Sequence, residues 1–598
     1  MKETLKSAWV VFFVSLMIFA ACLTNNLAYA QGWSWQNPMP QGNQLNGVWG
    51  STASDVFTVG DGGTIVHYDG SGWEIVHTSV TSADLYGVWG SAGNDVFAVG
   101  QSGTIIHYNG NSWSVINSGS MVDLAEVWGN SSSNIFAVGQ NGTILHYDGN
   151  SWSAMSSGIT EDLNGIWGAS ESDIYAVGKE GTILHYDGSS WSTVTGAGTS
   201  VDLYGVWGSA GNNVFVVGRN GTVVHYDGTD WSAISGIPDY VGLYGGVWGS
   251  SGNDVYAAGY SGIIYHYDGT SWSSVGYLGT SNYFYGVWGT SASNVFVVGM
   301  GGAIYHYDGS IWSDMSSGDT LYYLGGVWGN SAKNVFAVGR SGILLRNISG
   351  EWVSSSIVPR YFDGIWGSDD SHVFAVGQLG TITHYDGANW EDMTSTVTSE
   401  WLRGVWGSGA NDVFAVGGNG TILHYDGGSW VAMSSGTSEA LRGIWGSSSS
   451  DVFAVGWTGT ILHYDGSQWL PMSSGTSNYL SDVWGQSGSD VFVVGGRGTI
   501  LHYNGSVWSA MSSGTSVELN GIWGRSGRDV FAVGSDGTIL HYNGQHWSPM
   551  SSGASNPLRD VWGTQDGEVF AVGDCGNILY YKTPSACVLP LNLLLLDE

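Results

Sequence analysis

The chain has 598 residues, of which 96 are Gly and 32 are Trp, and only 11% are charged, against roughly 7% Gly and about 25% charged residues in an average globular protein. Its 15 Lys and Arg face 49 Asp and Glu, giving a net charge of −34. This balance argues against a basic nucleic-acid groove and against docking to bare anionic lipid. With 42% hydrophobic and 13% aromatic residues, the chain can bury a large core.

The first 30 residues predict a secretory signal peptide. Lys2 and Lys6 supply the positive start, Ala8 to Leu23 is an apolar run, and Ala28-Tyr29-Ala30 is a small-x-small cleavage site. The run is too short to span a bilayer, and no other segment predicts a transmembrane helix. We expect a secreted, periplasmic or cell-surface protein cleaved after Ala30; the alternative is a lipoprotein anchored at Cys22.

One unit repeats from Trp35 to Tyr581. Its most regular copy is Leu441 to Trp469, and a Trp-Gly pair marks every copy. The 14 copies are 38 to 41 residues apart, with the Trp at Trp49, Trp89, Trp128, Trp167, Trp207, Trp248, Trp288, Trp328, Trp366, Trp406, Trp445, Trp484, Trp523 and Trp562. A period near 40 built from short strands is typical of β-propeller blades.

Each copy contains four strand signals separated by Gly, Ser, Asn and Asp. Strand A is Leu-x-Gly-Val-Trp, strand B is Val-Phe-Ala-Val, strand C is Thr-Ile-Leu-His-Tyr, and strand D starts at a second Trp. Strand B is apolar on both faces, as expected of a sheet that lies between two others. The fold class is therefore all-β, a β-propeller of 14 four-stranded blades.

The two ends of the repeat predict how the ring closes. The last copy lacks strand D, and Trp35 to Met39 is a strand D with no other strand before it. A first strand that completes a distant blade removes exposed sheet edges. Because propellers usually have 4 to 8 blades, two seven-bladed rings are favoured over one 14-bladed ring. Trp35 would then close the blade of Trp288, and the strand at Trp312 would close the blade of Trp562.

This arrangement predicts four segments. They are the signal peptide (1–30), the first propeller (31–309), the second propeller (310–583) and a C-terminal tail (584–598). Cys575 and Cys587, the cysteines left after cleavage, predict one disulfide that fixes the C-terminus.

At Val-Gly-x-x-Gly-Thr-Ile-Leu-His-Tyr-Asp-Gly-x-x-Trp, the chain resembles the bacterial BNR/Asp-box propellers, particularly the photosystem II assembly-factor type. It is more loosely similar to tectonin and kelch repeats. Tyr147-Asp148-Gly149 shows a departure, since the strict Asp-box has one more residue and a Ser or Thr before the Asp. The resemblance implies a propeller, a fold that serves lectins, sialidases, scaffolds and assembly factors alike.

Two recurring polar residues are interpreted as framework. The Asp of the C–D turn becomes Asn at Asn109, Asn504 and Asn543, an exchange that suits an Asx-turn, in which either side chain accepts backbone N–H groups. Twelve His precede the strand C Tyr, with Arg346 and Tyr580 in the same slot of two further copies. One His per blade cannot converge on one ion, so we expect hydrogen-bonded framework His, no metal site and no cofactor.

The B–C turn is where the copies differ. Its tips change from blade to blade while the flanking residues stay constant, which indicates either a partner-binding face or free drift of exposed turns. The candidate partner-binding residues are Asp61, Gln101, Gln140, Lys179, Arg219, Tyr260, Met300, Arg340, Gln378, Trp457, Arg497 and Asp536.

No catalytic constellation stands out from the framework. Arg403, Arg442 and Arg559 share one strand A slot, but the distance along the chain predicts that they are too far apart for one central site. No acidic pair, nucleophile elbow or phosphate loop is evident. We therefore expect an exported, non-catalytic scaffold that binds a protein or a cell-surface glycan. The alternatives are a multivalent lectin-like propeller and, more remotely, a sialidase-like glycoside hydrolase.

Overall fold

The structure is a computed structural model, and it describes residues 33–37, 41–76, 80–278, 283–316, 323–348, 351–356, 360–394 and 397–582. The predicted signal peptide, Cys22 and the tail at 584–598 lie outside these residues. Across the described segments, no helix is long and apolar enough to cross a membrane.

Fourteen four-stranded antiparallel sheets make up the fold, which confirms the all-β propeller with four strands per blade. The innermost strand of each blade is strand A. The A strands are β2 (Leu45–Thr52), β6 (Leu85–Ala92), β10 (Leu124–Ser131), β14 (Leu163–Ser170), β18 (Leu203–Ala210), β22 (Val247–Ser251), β26 (Phe284–Ser291), β30 (Leu324–Ser331), β34 (Phe362–Asp369), β38 (Leu402–Gly409), β42 (Leu441–Ser448), β46 (Leu480–Ser487), β50 (Leu519–Ser526) and β54 (Leu558–Gly563).

Strand B follows through a short A–B loop and is buried along almost its whole length. The B strands are β3 (Asp55–Gly60), β7 (Asp95–Gly100), β11 (Asn134–Gly139), β15 (Asp173–Gly178), β19 (Asn213–Gly218), β23 (Asp254–Ala258), β27 (Asn294–Gly299), β31 (Asn334–Gly339), β35 (His372–Gly377), β39 (Asp412–Gly417), β43 (Asp451–Gly456), β47 (Asp490–Gly495), β51 (Asp529–Gly534) and β55 (Glu568–Gly573).

Strand C pairs with strand B and carries the recurring His. The C strands are β4 (Ile65–Tyr68), β8 (Ile105–Tyr108), β12 (Ile144–Tyr147), β16 (Ile183–Tyr186), β20 (Val223–Tyr226), β24 (Ile263–Tyr267), β28 (Ile304–Tyr307), β32 (Ile343–Ile348), β36 (Ile382–Tyr385), β40 (Ile422–Tyr425), β44 (Ile461–Tyr464), β48 (Thr499–Tyr503), β52 (Ile539–Tyr542) and β56 (Ile578–Lys582).

Strand D is the outer edge of each blade. The D strands are β1 (Ser34–Asn37), β5 (Trp73–Ile75), β9 (Trp113–Ile116), β13 (Trp152–Met155), β17 (Trp191–Thr193), β21 (Trp231–Ala233), β25 (Trp272–Tyr277), β29 (Trp312–Asp314), β33 (Glu351–Ser356), β37 (Trp390–Asp392), β41 (Trp430–Met433), β45 (Trp469–Met472), β49 (Trp508–Met511) and β53 (Trp547–Met550).

Most B–C turns form a single turn of 3-10 helix. These turns are Asp61–Gly63, Gln101–Gly103, Gln140–Gly142, Lys179–Gly181, Tyr260–Gly262, Met300–Gly302, Arg340–Gly342, Gln378–Gly380, Gly418–Gly420, Trp457–Gly459, Gly496–Gly498 and Asp574–Gly576.

The blades close into two rings of seven. Strand β2 packs against β26, which closes the first ring, and β30 packs against β54, which closes the second. The favoured two-ring arrangement is therefore confirmed over the single 14-bladed ring.

The closing strand differs from the sequence prediction. Strand β1 pairs with β56, with Ser34 opposite Tyr580 and Trp35 opposite Leu579, so it completes the blade of Trp562. The blade of Trp288 uses the strand that follows it, with Trp312 opposite Tyr307. A local hairpin costs less loop-closure entropy than capture of a distant strand, which explains why the first ring closes from its own chain.

The first ring is thus an insertion into the second. It runs from Leu45 to Asp314, and the second ring combines Ser34–Asn37 with Leu324–Lys582. The predicted ranges 31–309 and 310–583 therefore each assigned one closing strand to the other ring: Ser34–Asn37 belongs to the second ring and Trp312–Asp314 to the first.

The two rings touch through loops that precede strand A. The Ser555 backbone N–H donates to Oδ1 of Asn43 at 2.8 Å. The Asn556 side-chain amide donates to the Gly42 carbonyl at 2.8 Å. These contacts join the first blade of one ring to the last blade of the other.

Neighbouring blades are held together by the Trp-Gly pair. The Trp of each blade lies over the Gly of the next blade's pair, so a Cβ added at Gly446 would lie 2.7 Å from Cη2 of Trp406. The same contact closes both rings, with Trp288 over Gly50 and Trp562 over Gly329. Only glycine lets the indole approach this closely, which explains why the pair recurs in every copy.

Strand B supplies the aromatic core between blades. Phe453 is 1% exposed, and its ring lies 4.5 Å from the ring of His463 in its own blade. It also meets Trp508 of the next blade edge to face, with ring centroids 6.2 Å apart at 82°. This explains the second recurring Trp, because strand D of one blade covers the Phe of the preceding blade.

Replacing Gly407 by Ala should lower the melting temperature by several degrees, because the added Cβ would meet Trp366 at 2.7 Å and overpacking costs about 1–3 kcal/mol. Gly409 in the same strand has nothing within 4 Å, so Gly409→Ala is the matched control and should stay within about 0.5 kcal/mol of wild type. Equal melting temperatures for the two variants, measured by calorimetry, would contradict the packing argument.

Deleting residues 34–37 should destabilise the second ring and leave the first ring unchanged, because only β56 loses its partner. We expect a second-ring melting transition several degrees lower, together with self-association through the newly exposed edge of β56. Calorimetry and sedimentation measure both effects. A truncated protein that melts as wild type and stays monomeric would show that β1 does not close the ring.

Candidate functional site: the B–C face and the two channels

The face of each ring that carries the A–B and C–D loops is structural. Oδ1 of Asp465 accepts the backbone N–H groups of Ser467 and Gln468, both at 2.9 Å, and Asn504 accepts two in the same way at 3.0 Å. Donation from the Ser467 hydroxyl and these N–H groups lowers the pKa of Asp465 to about 2. The predicted Asx-turns are confirmed.

The recurring His also belongs to the framework. Nε2 of His463 lies 2.6 Å from Oδ1 of Asp451. The equivalent contact, to an Asp or Asn 12 residues earlier, is described for His67, His107, His146, His185, His225, His266, His424, His502 and His541. In the described segments, no three His, Cys, Asp or Glu side chains are grouped so that they could hold a metal ion.

The substituted copies keep this interaction. Arg346 donates to Oδ1 of Asn334 at 2.8 Å, and the hydroxyl of Tyr580 donates to Glu568 at 2.9 Å. His306 and His384 are exceptions, because their Nε2 atoms have no partner among the described residues. In the other 12 copies, a His, Arg or Tyr in this slot links strands B and C by a hydrogen bond.

The opposite side of each ring, which carries the B–C turns and the loops before strand A, is called the B–C face. The Trp457 backbone N–H donates to the carbonyl of Ala440, the residue before strand A, at 2.9 Å. This bond recurs in other blades and places the turn tips around the mouth of the central channel. The second tip residue has a left-handed backbone, with φ of 53° at Thr458 and 56° at Arg497.

Ten of the twelve predicted partner-binding residues are exposed, and Asp61 and Gln378 are partly buried. Three large apolar tips are well exposed: Trp457 at 53%, Tyr260 at 42% and Met300 at 38%. The exposed residues are Gln101, Gln140, Lys179, Arg219, Tyr260, Met300, Arg340, Trp457, Arg497 and Asp536.

Some of these tips are held by their own blade. The Gln140 side chain donates to Asp123 at 2.8 Å, and Nζ of Lys179 lies 2.6 Å from Oδ2 of Asp162. Asp61 accepts from Asn46 at 2.9 Å. The exposed apolar tips therefore remain the stronger candidates for contact with a partner.

The structure corrects the expectation for the three arginines. Arg403, Arg442 and Arg559 line one cavity of about 180 Å³ in the channel of the second ring, with Asp363 and Tyr323. Residues in the same strand A slot point to the ring axis from every blade, so distance along the chain does not separate them. Their shared slot was the sequence signal for this cluster.

The three guanidinium groups have different partners. Arg403 lies 3.3 Å from Asp363, and Arg559 donates twice to Asp574, at 2.9 and 2.8 Å. Among the described residues Arg442 has no hydrogen bond or ion pair; its guanidinium carbon lies 5.5 Å from the centroid of the Tyr479 ring.

Two carboxyl groups in the same channel join neighbouring blades. Asp482 and Asp560 stand where most copies have Gly, and they accept the backbone N–H groups of Ile522 and Val327 in the next A strand, each at 2.9 Å. Burial raises the pKa of both carboxyl groups, and the charge of Asp560 raises that of Asp482 further.

Arginines and aromatic rings alternate around the mouth of this channel. The guanidinium carbon lies 4.4 Å from the Tyr323 centroid for Arg340 and 5.1 Å for Arg559, and Arg403 lies 4.8 Å from Trp401. These are cation–π distances. The first ring, by contrast, contains only Lys179 and Arg219 of the 15 basic residues.

The channel of the first ring has the opposite character. Tyr86, Tyr204, Tyr244 and Tyr285 line a cavity of about 250 Å³ together with Glu126. Burial raises the pKa of Glu126 to about 8, although the Val127 N–H lowers it.

Aspartates at the mouth of the first ring fasten one blade to the next. Oδ1 of Asp84 accepts the Gly62 N–H at 2.8 Å, and Asp123, Asp162 and Asp202 repeat this contact with the preceding turn. The acidic mouth is therefore part of the framework of the first ring.

Cys575 lies on the last B–C turn, and burial raises the pKa of its thiol to about 11. Cys587 lies outside the described residues, so the predicted disulfide stays a prediction.

Glu126→Gln should flatten the pH dependence of stability in the first ring. Because the pKa of Glu126 in the folded protein is raised to about 8, the wild-type carboxyl favours folding at low pH. This contribution to the free energy of unfolding is lost as pH rises from about 4 through 8, by on the order of 1 kcal/mol per pH unit at most. The difference in melting temperature between variant and wild type should grow from pH 5 to pH 8. A constant difference would contradict the raised pKa.

Together these features define a repeat protein of two seven-bladed β-propellers, with one acidic, Tyr-lined channel and one Arg-lined channel. No protein-family model matches the chain. No curated protein matches it either.

Solved structures share the fold. The GH74 xyloglucanase from Xanthomonas campestris is 12% identical over 92% of this chain and 99% of that chain, with a TM-score of 0.64. The GH74 enzyme from Niastella koreensis is 14% identical over 94% and 100%, with a TM-score of 0.62. A structure described as YCF48 bound to D1 peptide is 18% identical over 47% and 96%, with a TM-score of 0.39. The two GH74 structures support the propeller fold.

Proposed function

We propose that this protein is an exported, non-catalytic propeller that binds a protein partner through the B–C face of the second ring. The observation that carries the proposal is the concentration of Arg340, Arg403, Arg442 and Arg559 at one channel mouth in a chain of net charge −34. Asp363 and Asp574 compensate Arg403 and Arg559, but a partly buried cation without a compensating anion, such as Arg442, is unfavourable.

The exposed Trp457 supports the same face. Its side chain is 53% exposed on the turn beside the arginine-lined mouth, and its ring lies 6.5 Å from that of Tyr479. Interface energy concentrates in a few Trp, Tyr and Arg residues, and all three types occur here.

The carboxyl groups in the channel favour binding over hydrolysis. Asp482 and Asp560 each accept two backbone N–H groups, an arrangement that explains them as links between blades. The TM-scores of the two GH74 structures support the fold, while their identities of 12% and 14% do not extend to the site. A lectin-like array would repeat one site on every blade, whereas the channel slot here reads Asp363, Arg403 and Arg442 on three successive blades.

Replacing Trp457 by a photo-crosslinking residue should capture a protein from the exported fraction of the source cells. The matched control is the same residue at Val507, which is 59% exposed but lies on the opposite side of the ring. We expect a crosslinked band only from position 457, and Trp457→Ala should leave the melting temperature within about 2 °C of wild type, because a turn tip contributes little to the core.

Trp445→Ala should have the reverse effect and mainly lower stability, because Trp445 lies over Gly485 of the next blade. Equal crosslinking from positions 457 and 507 would exclude a specific face. Release of reducing ends from xyloglucan above the buffer rate would overturn the non-catalytic part of the proposal.

A further inference from the structure

We infer that the channel of the second ring is a receptor for a single carboxylate group, carried by an acidic segment of the partner, and that Arg442 is the residue that receives it. This inference rests on the proposed function and specifies its ligand chemistry.

Arg403 and Arg559 already have carboxylate partners, in Asp363 at 3.3 Å and Asp574 at 2.8 Å. Arg442 occupies the same strand A position on a blade between those of Arg403 and Arg559. It has no ion pair or hydrogen bond among the described residues. Burial and the charge of Arg403 lower the pKa of Arg442. Both therefore destabilise the charged guanidinium, and a bound anion would stabilise it.

The geometry of the arginines favours a carboxylate. A guanidinium group offers two parallel N–H donors that match the two oxygens of a carboxylate. The cavity of about 180 Å³ accommodates a group the size of one side chain rather than an extended surface. One acidic side chain or one chain end is therefore the unit that fits.

The aromatic rings at the mouth favour a peptide over a sugar acid. The Tyr323 ring has Arg340 and Arg559 against it, the Trp401 ring has Arg403, and the Tyr479 ring has Arg442. Sugar stacking needs an open aromatic face, and a guanidinium group lies against each of these three rings. The rings instead hold the arginines in orientation.

Three carboxyl groups line the same cavity as Arg442, those of Asp363, Asp482 and Asp560. Asp363 is engaged by Arg403, and the other two accept backbone N–H groups. Because burial raises the pKa of Asp482 and Asp560, lowering the pH from 8 to 6 adds protons to them and removes competing negative charge. Anion binding at Arg442 should therefore strengthen over this interval.

The test uses fluorescein-labelled decaglutamate, read by fluorescence anisotropy with the full chain at about 0.15 M salt, where screening limits the effect of distant charges to roughly 8 Å. Decaglutamine is the neutral probe, and an oligogalacturonate of equal charge is the sugar-acid probe. We expect decaglutamate to bind more tightly than either, and more tightly at pH 6 than at pH 8.

Arg442→Gln should weaken decaglutamate binding at least tenfold. The matched control, Arg528→Gln, removes the same charge from an exposed A–B loop on the opposite side of the ring and should change the dissociation constant less than twofold. Arg442→Gln should leave the melting temperature equal to wild type or higher, because it removes an unpaired cation.

A second variant keeps the test decisive if Arg442→Gln folds poorly. Ser481 lines the same cavity, its hydroxyl has no partner among the described residues, and Ser481→Asp would place a fixed carboxylate in the channel. This variant should abolish probe binding while raising the melting temperature.

Absence of decaglutamate binding, or equal losses in Arg442→Gln and Arg528→Gln, would overturn the inference. Tighter binding of oligogalacturonate would overturn the peptide assignment. If a partner crosslinks at position 457 but decaglutamate does not bind, only this inference is wrong. If decaglutamate binding depends on Arg442 but no partner crosslinks, the proposed function is wrong and the carboxylate site is retained.

Discussion

An indole ring lying over a glycine of the next blade is the contact on which both rings depend. It fixes how closely blades approach, and it is repeated at all 14 blade junctions, including the two that close the rings. Because the spacing is set there, residues of strands A and B that touch a neighbouring blade have little freedom to change. Variation is concentrated instead at the turn tips of the B–C face and in the strand A slot that faces each channel. Those are the positions where this chain differs most from blade to blade.

Most of the framework could be predicted from sequence because one copy explains all the others. The strand order, the Asx-turns and the bonded His follow from residues within a single 40-residue unit. The closing strand and the arginine cluster could not be predicted in this way. Whether Trp35 or Trp312 completes the blade of Trp288 depends on competition between a near and a distant strand. Likewise, Arg403 and Arg559 meet only because seven blades bring one slot to a common axis.

The two channels differ in the charged residues that line them. In the first ring, Asp84, Asp123 and their equivalents are used to fasten turns, and tyrosines fill the axis. In the second, tyrosine and tryptophan replace these aspartates before strand A, at Tyr361, Trp401 and Tyr479. The same framework position therefore stabilises one ring by hydrogen bonds and supports arginine in the other. A net negative surface disfavours non-specific anions, whereas a ligand that reaches the second axis meets the positive charge of Arg403, Arg442 and Arg559.

The insertion of one ring into the other has a consequence for synthesis of the chain. The first ring is contiguous from Leu45 to Asp314 and can assemble as soon as that stretch has emerged. Strand β1 is made earlier, yet its partner β56 ends at Lys582, and at roughly 5–20 residues per second it waits on the order of a minute with its backbone groups unpaired. The first strand to be synthesised is thus the last to pair with its neighbour. A chain that stops short would carry a finished first propeller beside a second one with two open edges.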